Sequence, residues 1–175
     1  MSTFNQRIEP LRDLMKAKGL DAFVLRRNPN LAWAIAGRSH VPSTIDAACF
    51  DLIITQDSAT AITNVVEAPR LIAEELPDEV SVKTVKWSEG RDPQLPTGSK
   101  VGSDQPGGDR IDLGTEVEMI RASLIESDVA RFKEICVDAA VALGNAMKQV
   151  ESSDREIDVA GLIAHSLWQA DLEVA

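Results

Sequence analysis

The stretch TFNQRIEPLRDLMKAKGLDAFVLR, residues 3–26, decides the fold. Phe4, Ile8, Leu11, Leu14 and Met15 recur at three- and four-residue intervals, the period of one apolar helix face. Lys16 and Lys18 fall in the last turn, where cations suit the negative end of the helix dipole, and Gly19 can take the left-handed conformation that closes a helix. The period then changes. Residues 21–26 (DAFVLR) are short and apolar, a pattern that suits a buried strand better than a helix. A helix that turns at a glycine into a buried strand begins a layered α/β domain.

Downstream, Asn28-Pro29-Asn30 breaks the strand, and Asn30 is expected to cap a short helix over 31–36 that stops at Gly37. Residues 38–44 hold Ser, His and Pro without periodicity and read as a loop. Two strand-like runs, 47–55 and 60–66, flank the polar turn Gln56-Asp57-Ser58 and predict a hairpin. Residues 67–76, with Pro69 in the first turn, read as a short amphipathic helix stopped by Pro77. A strand over 80–87, a loop over 88–99 and a short strand over 100–104 follow, the last before the turn-prone Gln105-Pro106-Gly107-Gly108.

Near residue 115 the composition changes and proline disappears. Val129, Phe132, Ile135, Ala139, Leu143, Met147 and Val150 share one face of a helix over 128–150, the strongest in the chain. Ser153-Asp154-Arg155-Glu156 has the pattern of a capping box ahead of a second helix reaching about Ala170. That pair has no partner with which to close a core, so the expectation is an α/β domain followed by a truncated second one.

A chain of 175 residues is long enough for one domain, or one plus part of another. The 18 Lys and Arg against 28 Asp and Glu give a formal net charge of −10, with no basic run. Such a chain repels phosphate, which argues against nucleic acid or an anionic membrane surface as partner. With 44% hydrophobic and 26% charged residues the composition is that of a soluble globule; aromatics are only 4%, so Ala, Val, Ile and Leu must build the core. No segment approaches the roughly 20 apolar residues of a membrane span, and the polar start predicts a cytoplasmic protein.

The residues that carry chemistry do not assemble into a site. Gly37-Arg38-Ser39-His40 has half of a nucleophile elbow, but Val41 stands where the second glycine is required. Gly102 and Gly107 have phosphate-loop spacing, yet Gly108-Asp109 occupy the places of Lys and Ser/Thr. Asp104, Asp109, Asp112, Glu116 and Glu118 form an acidic cluster without calcium-loop spacing, and read as a solvated loop. Cys49 and Cys136 read as buried thiols, and His165 as a partly buried, hydrogen-bonded side chain. Trp33, Trp87 and Trp168 read as packing residues, with Trp33 near enough to the 38–44 loop to line a pocket. No acid–base pair, activated nucleophile or metal site follows from these residues.

The order of the short motifs nevertheless resembles a known family. Arg7-x3-Leu11-x3-Met15-x3-Gly19-Leu20-Asp21-Ala22, then a strand, then Asn30-Leu31-Ala32-Trp33 and Gly37, is similar to the opening of the creatinase/prolidase N-terminal domain. There a Gly-Ile-Asp-Ala turn precedes the first strand and Asn-Ile-x-Tyr-Leu-x-Gly follows it. Residues 121–150 resemble the linker and first helix of the pita-bread metallopeptidases, which include aminopeptidase P, prolidase and creatinase. Residues 153–170 resemble the next helix, although Ser152-Ser153-Asp154-Arg155-Glu156 replaces the usual Pro-Gly-x-Thr-Glu.

The resemblance implies an α/β fold in which helices flank a mixed, ribonuclease-H-like sheet over residues 1–122. Residues 123–175 would then be the first two helices of an incomplete α+β pita-bread domain. It implies a parent Xaa-Pro aminopeptidase or dipeptidase whose pair of divalent metals (manganese, cobalt or zinc) is bound beyond those helices. The chain alone is therefore expected to hold no metal and no catalytic residue, and to be inactive. The first domain would contribute homodimerisation and a loop limiting access of proline-containing peptides. Arg38 and His40 would meet substrate there beside Trp33, a guanidinium pairing with a carboxylate and an imidazole donating to it. The same scaffold could instead serve a catalytically dead peptide-binding or oligomerisation module, or a creatinase-like small-molecule hydrolase.

Overall fold

The computed structural model describes residues 2–38, 47–98, 100–105 and 107–174. The chain forms two compact units, residues 1–123 and 124–175.

In the first unit, α1 (Thr3–Lys18) starts with the Asn5 N–H donating to Ser2 Oγ at 3.3 Å. It ends at Gly19, whose φ of 66° places it in the left-handed region, as the glycine after two lysines predicts. β1 (Ala22–Arg27) runs directly into α2 (Asn28–Ile35). β2 (Ala47–Ile54) and β3 (Ala59–Asn64) form the expected antiparallel hairpin. α3 (Ala68–Arg70) continues into a π-helical turn, Leu71–Glu75, and leads to β4 (Val80–Val85). A 3₁₀ turn, Asp92–Gln94, lies in the following loop, before β5 (Val101–Ser103), β6 (Ile111–Asp112) and α4 (Gly114–Arg121).

The six strands form one mixed sheet in the order β4-β3-β2-β1-β5-β6. β1 pairs antiparallel with β2 and parallel with β5, while β3–β4 and β5–β6 are parallel. This is the α/β sheet with flanking helices that the opening stretch predicts. Alternation along the strands separates two cores. Phe23, Leu25, Phe50, Leu52 and Ile54 face the stripe of α1, with Leu31 of α2 and Val117 of α4 in the same cluster. Ile8, Leu11 and Met15 of that stripe are fully buried, each stabilising by about 1.5–3 kcal/mol. On the opposite face Val24, Ile62, Val85 and Val101 form a smaller cluster with Leu95 from the 86–98 loop.

Gly102 shows how tightly this sheet is filled. A Cβ there would lie 2.7 Å from Phe23 Cδ2 and 3.0 Å from Leu20 Cδ1. Gly102→Ala should therefore lower stability by about 1–3 kcal/mol through overpacking. Urea denaturation reads the shift, and an unchanged midpoint would mean that the Phe23 ring moves aside freely.

Several local expectations are corrected. α2 begins at Asn28, so Asn30 lies inside it, and its amide donates to Asp104 Oδ2 at 2.9 Å instead of capping. The left-handed residue after α2 is Ala36, φ 55°, not Gly37. Trp87 falls beyond β4 and is 76% exposed. β6 and α4 were concealed in the acidic segment that reads as a loop, and Asp104, read as solvated, is buried.

In the second unit, α5 (Glu126–Met147) packs on α6 (Glu156–Gln169) through small residues: Ala142, Ala146 and Ser166 are buried. The larger stripe, including Phe132, Ile135, Leu143 and Met147, stays exposed, because small side chains are what allow close helix approach. At the start of α6 the Asp158 carboxylate accepts the Arg155 N–H at 3.1 Å and its guanidinium at 2.8 and 2.9 Å, so the bonded pair is Arg155 with Asp158 and not Ser153 with Glu156. Cys136, His165 and Trp168 are all exposed, contrary to the buried roles expected of them. Among the described residues no helix is long and apolar enough to cross a membrane.

Candidate functional site

Of the residues singled out for substrate access, Trp33 is held by α2 and packs, partly buried, against the main core. Arg38 follows the left-handed turn at the end of α2, and its backbone N–H donates to Glu75 Oε2 at 2.6 Å. His40 lies outside the described residues. The bond to Glu75 brings Arg38 to the π-turn.

That turn is itself braced. Arg70 Nη1 donates to Glu75 Oε1 at 3.2 Å, while Nη2 donates to Glu67 Oε2 at 3.2 Å and lies 3.6 Å from Cys49 Sγ on β2. Burial, reinforced by Glu67, pushes the Cys49 thiol up from its ordinary pKa, and Arg70 and Arg91 only partly offset this. A thiol held protonated is a packing group, not a nucleophile.

A second constellation surrounds Asp104, after β5. Its Oδ1 accepts the Arg26 N–H at 2.8 Å, and its Oδ2 accepts the Arg27 N–H at 3.1 Å and the Asn30 amide. Beside it lies a pocket of about 280 Å³, lined by Arg27, Gln105, Asp112, Thr115 and Glu118 among others. Arg27 pairs with Glu118 at 3.1 Å, and Asp112 Oδ1 accepts the Gly114 N–H at the start of α4. These carboxylates brace β1 and α4, which leaves no evident general base among them.

The third lies on the opposite sheet face. Asp51, fully buried on β2, accepts Arg26 Nε at 2.9 Å and Arg91 Nε at 2.7 Å. Arg26 also reaches Asp92 at 2.8 Å, so two ion pairs tie the 86–98 loop to the sheet. The sequence offered one signal for this site, a lone acid inside the apolar run Cys49–Ile54.

The donor sets do not fit a metal: among the described residues no group of three His, Cys, Asp or Glu could hold one. Asp104 and Asp51 already accept N–H donors, and His165 stands exposed on α6. The described residues therefore form braced polar anchors, with no nucleophile set beside a base.

The family whose model matches this chain is the creatinase/prolidase N-terminal domain, over residues 7–164. No curated protein matches the chain by sequence. Among solved structures, the prolidase from Pyrococcus horikoshii OT3 is 16% identical, covering 94% of this chain and 49% of its own, with a TM-score of 0.74. The X-Pro aminopeptidase from Thermotoga maritima MSB8 is 19% identical, covering 93% of this chain and 49% of its own, with a TM-score of 0.65. The Xaa-Pro dipeptidase from Bacillus anthracis is 14% identical, covering 95% and 49%, with a TM-score of 0.66. At such identities the likeness is one of fold, and the chain spans about half the length of these structures.

Proposed function

The chain belongs to the creatinase/prolidase N-terminal domain family, and from that premise we propose that it is the non-catalytic N-terminal portion of a Xaa-Pro peptidase-like metallohydrolase. The observation that carries the reading is the extent of the family match, which runs from α1 into α6 and so through both compact units. The fold likeness to a prolidase and an X-Pro aminopeptidase, each about twice as long as this chain, agrees with it.

In this reading residues 1–122 form the N-terminal domain and residues 123–175 open the catalytic one. The exposed stripe of α5 is then a surface for the remainder of that domain, since an apolar face of this length is otherwise a liability in water. Divalent metals, manganese, cobalt or zinc, belong to that remainder, whose metal-activated water would hydrolyse the bond before proline. This chain contributes homodimerisation and control of substrate access, with Arg38, His40 and Trp33 at the access segment. The exposed thiol of Cys136 suits a reducing, cytoplasmic setting.

The test compares this chain with a polypeptide that continues through a catalytic domain. Both are assayed on a Xaa-Pro dipeptide and a longer Xaa-Pro peptide with added manganese or cobalt. Cleavage by the longer polypeptide alone is the expected result. Silence in both would favour a binding module or a creatinase-like hydrolase, and cleavage by the 175-residue chain would place the chemistry where this reading puts none.

A further inference from the structure

We propose that Glu75 is a positioning residue that sets the direction of the backbone at Arg38, and through it the presentation of the Arg38 side chain; this rests on the access role given to Arg38 above.

Two observations besides the hydrogen bond point the same way. The first is the π-turn. The Leu76 N–H donates to the Leu71 carbonyl at 2.8 Å, five residues back, so Glu75 ends a turn one residue wider than an α-helical one. Single π-turns are rare and are found frequently at functional sites. Here the wider turn brings Glu75, its side chain only 14% exposed, against the exit of α2.

The second is the backbone of residues 36–38. Ala36 holds a left-handed φ of 55°, which an L-residue adopts at a cost. At Gly37 a Cβ would lie 2.8 Å from Glu75 Oε2 and 3.1 Å from its carbonyl oxygen, so only glycine allows this approach. The strained turn and the bare glycine together lay the Arg38 N–H on the carboxylate, and Arg70, fixed in turn by Glu67, holds that carboxylate from its other oxygen. A backbone N–H bonded to a carboxylate is a strong, charge-assisted contact. It fixes where Arg38 begins without using its guanidinium.

The test reads the anchor and the access role separately. In the 175-residue chain, Glu75→Ala should speed hydrogen exchange at the Arg38 amide by about 10- to 100-fold, the loss expected for a bond to a charged acceptor. Amides of β1 should keep their protection, and Glu75→Gln, which retains an acceptor oxygen, should restore part of it at Arg38. If Glu75→Ala does not fold, Gly37→Ala forces the carboxylate away and should give the same local loss. Unchanged exchange at Arg38 in a folded variant overturns the proposal.

In the longer polypeptide, Glu75→Ala and Arg38→Ala should each raise KM for a Xaa-Pro peptide more than they lower kcat, and the double variant should match the single ones. A KM effect of Arg38→Ala that Glu75→Ala fails to reproduce overturns the positioning role. If neither variant moves KM, the substrate role of Arg38 falls, while the exchange result still decides the anchor.

Discussion

Asp51→Asn is expected to lower the unfolding free energy by about 3 kcal/mol, the low end of what breaking a buried ion pair costs. Asp51 has no exposed surface, and the Arg26 and Arg91 side chains on it are only 18% and 19% exposed. In the native network two guanidinium groups face two carboxylates, those of Asp51 and Asp92. With Asn at 51 one carboxylate must serve both, and the new amide turns a donor toward a donor. Arg91 keeps its bond to the Ala48 carbonyl at 2.9 Å, but its Nε loses a charged acceptor. The partial exposure of the two arginines lets water repay some of the loss, which is why the low end applies. Urea denaturation with an unchanged m-value checks this. Replacing Asp51, Arg26 and Arg91 together by apolar residues should cost less than Asp51→Asn alone, because no buried charge is left behind: the remaining carboxylate, Asp92, is 74% exposed and stays in water. A loss below about 1 kcal/mol for Asp51→Asn would mean that the network behaves as a surface ion pair.

This network also shows why some of the molecule was legible in the sequence and some was not. The stripe of α1, its glycine stop and the β2–β3 hairpin rest on local periodicity, and local periodicity is written in consecutive residues. The two anchors built on Asp51 and Asp104 rest on partners 25 to 78 positions away, such as Arg26 with Asp51 and the Arg26 N–H with Asp104. A lone Asp in the apolar run of β2 announces that a cation must come, but nothing local says that it comes from Arg91 in a proline-containing loop. Asp104 misled for a related reason: four other acids nearby made it read as one of a solvated set, and only the path of β5 shows that it is inside. Asn30 belonged to the motif that carried the family resemblance, yet its role is to donate to Asp104, a long-range contact that a capping rule cannot foresee. Glu75 gave no signal at all, because a π-turn differs from an α-turn by one residue and leaves the apolar pattern of a ten-residue segment unchanged.

Asp104→Ala should be as damaging as the loss of Asp51, about 3 kcal/mol, since each buried donor left without an acceptor costs about 1–3 kcal/mol and neighbouring losses do not add fully. The pairing of β1 with β5 stops at Val24 and Ser103, and there the Asp104 carboxylate takes over, receiving the N–H groups of Arg26 and Arg27 in place of a further strand residue. It also receives the Asn30 amide, whose own Oδ1 is buried with no partner, so alanine would leave Asn30 wholly unsatisfied. Asp104→Asn, which keeps one acceptor oxygen, should lose less. The pH dependence separates the charge from the shape. Burial raises the pKa of Asp104, and the bonds from Asn30, Arg26 and Arg27 pull it down without offsetting that. The folded state therefore holds this proton more tightly than the unfolded chain does. The stability so gained is fully present below the ordinary aspartate value and is lost as pH rises through the folded value. The gap in unfolding free energy between wild type and Asp104→Ala should accordingly widen on acidification across that window, while carboxylates common to both proteins cancel. Urea denaturation at a series of pH values measures the gap; a gap that narrows toward acid would show that the three donors, and not burial, govern the ionisation of this side chain.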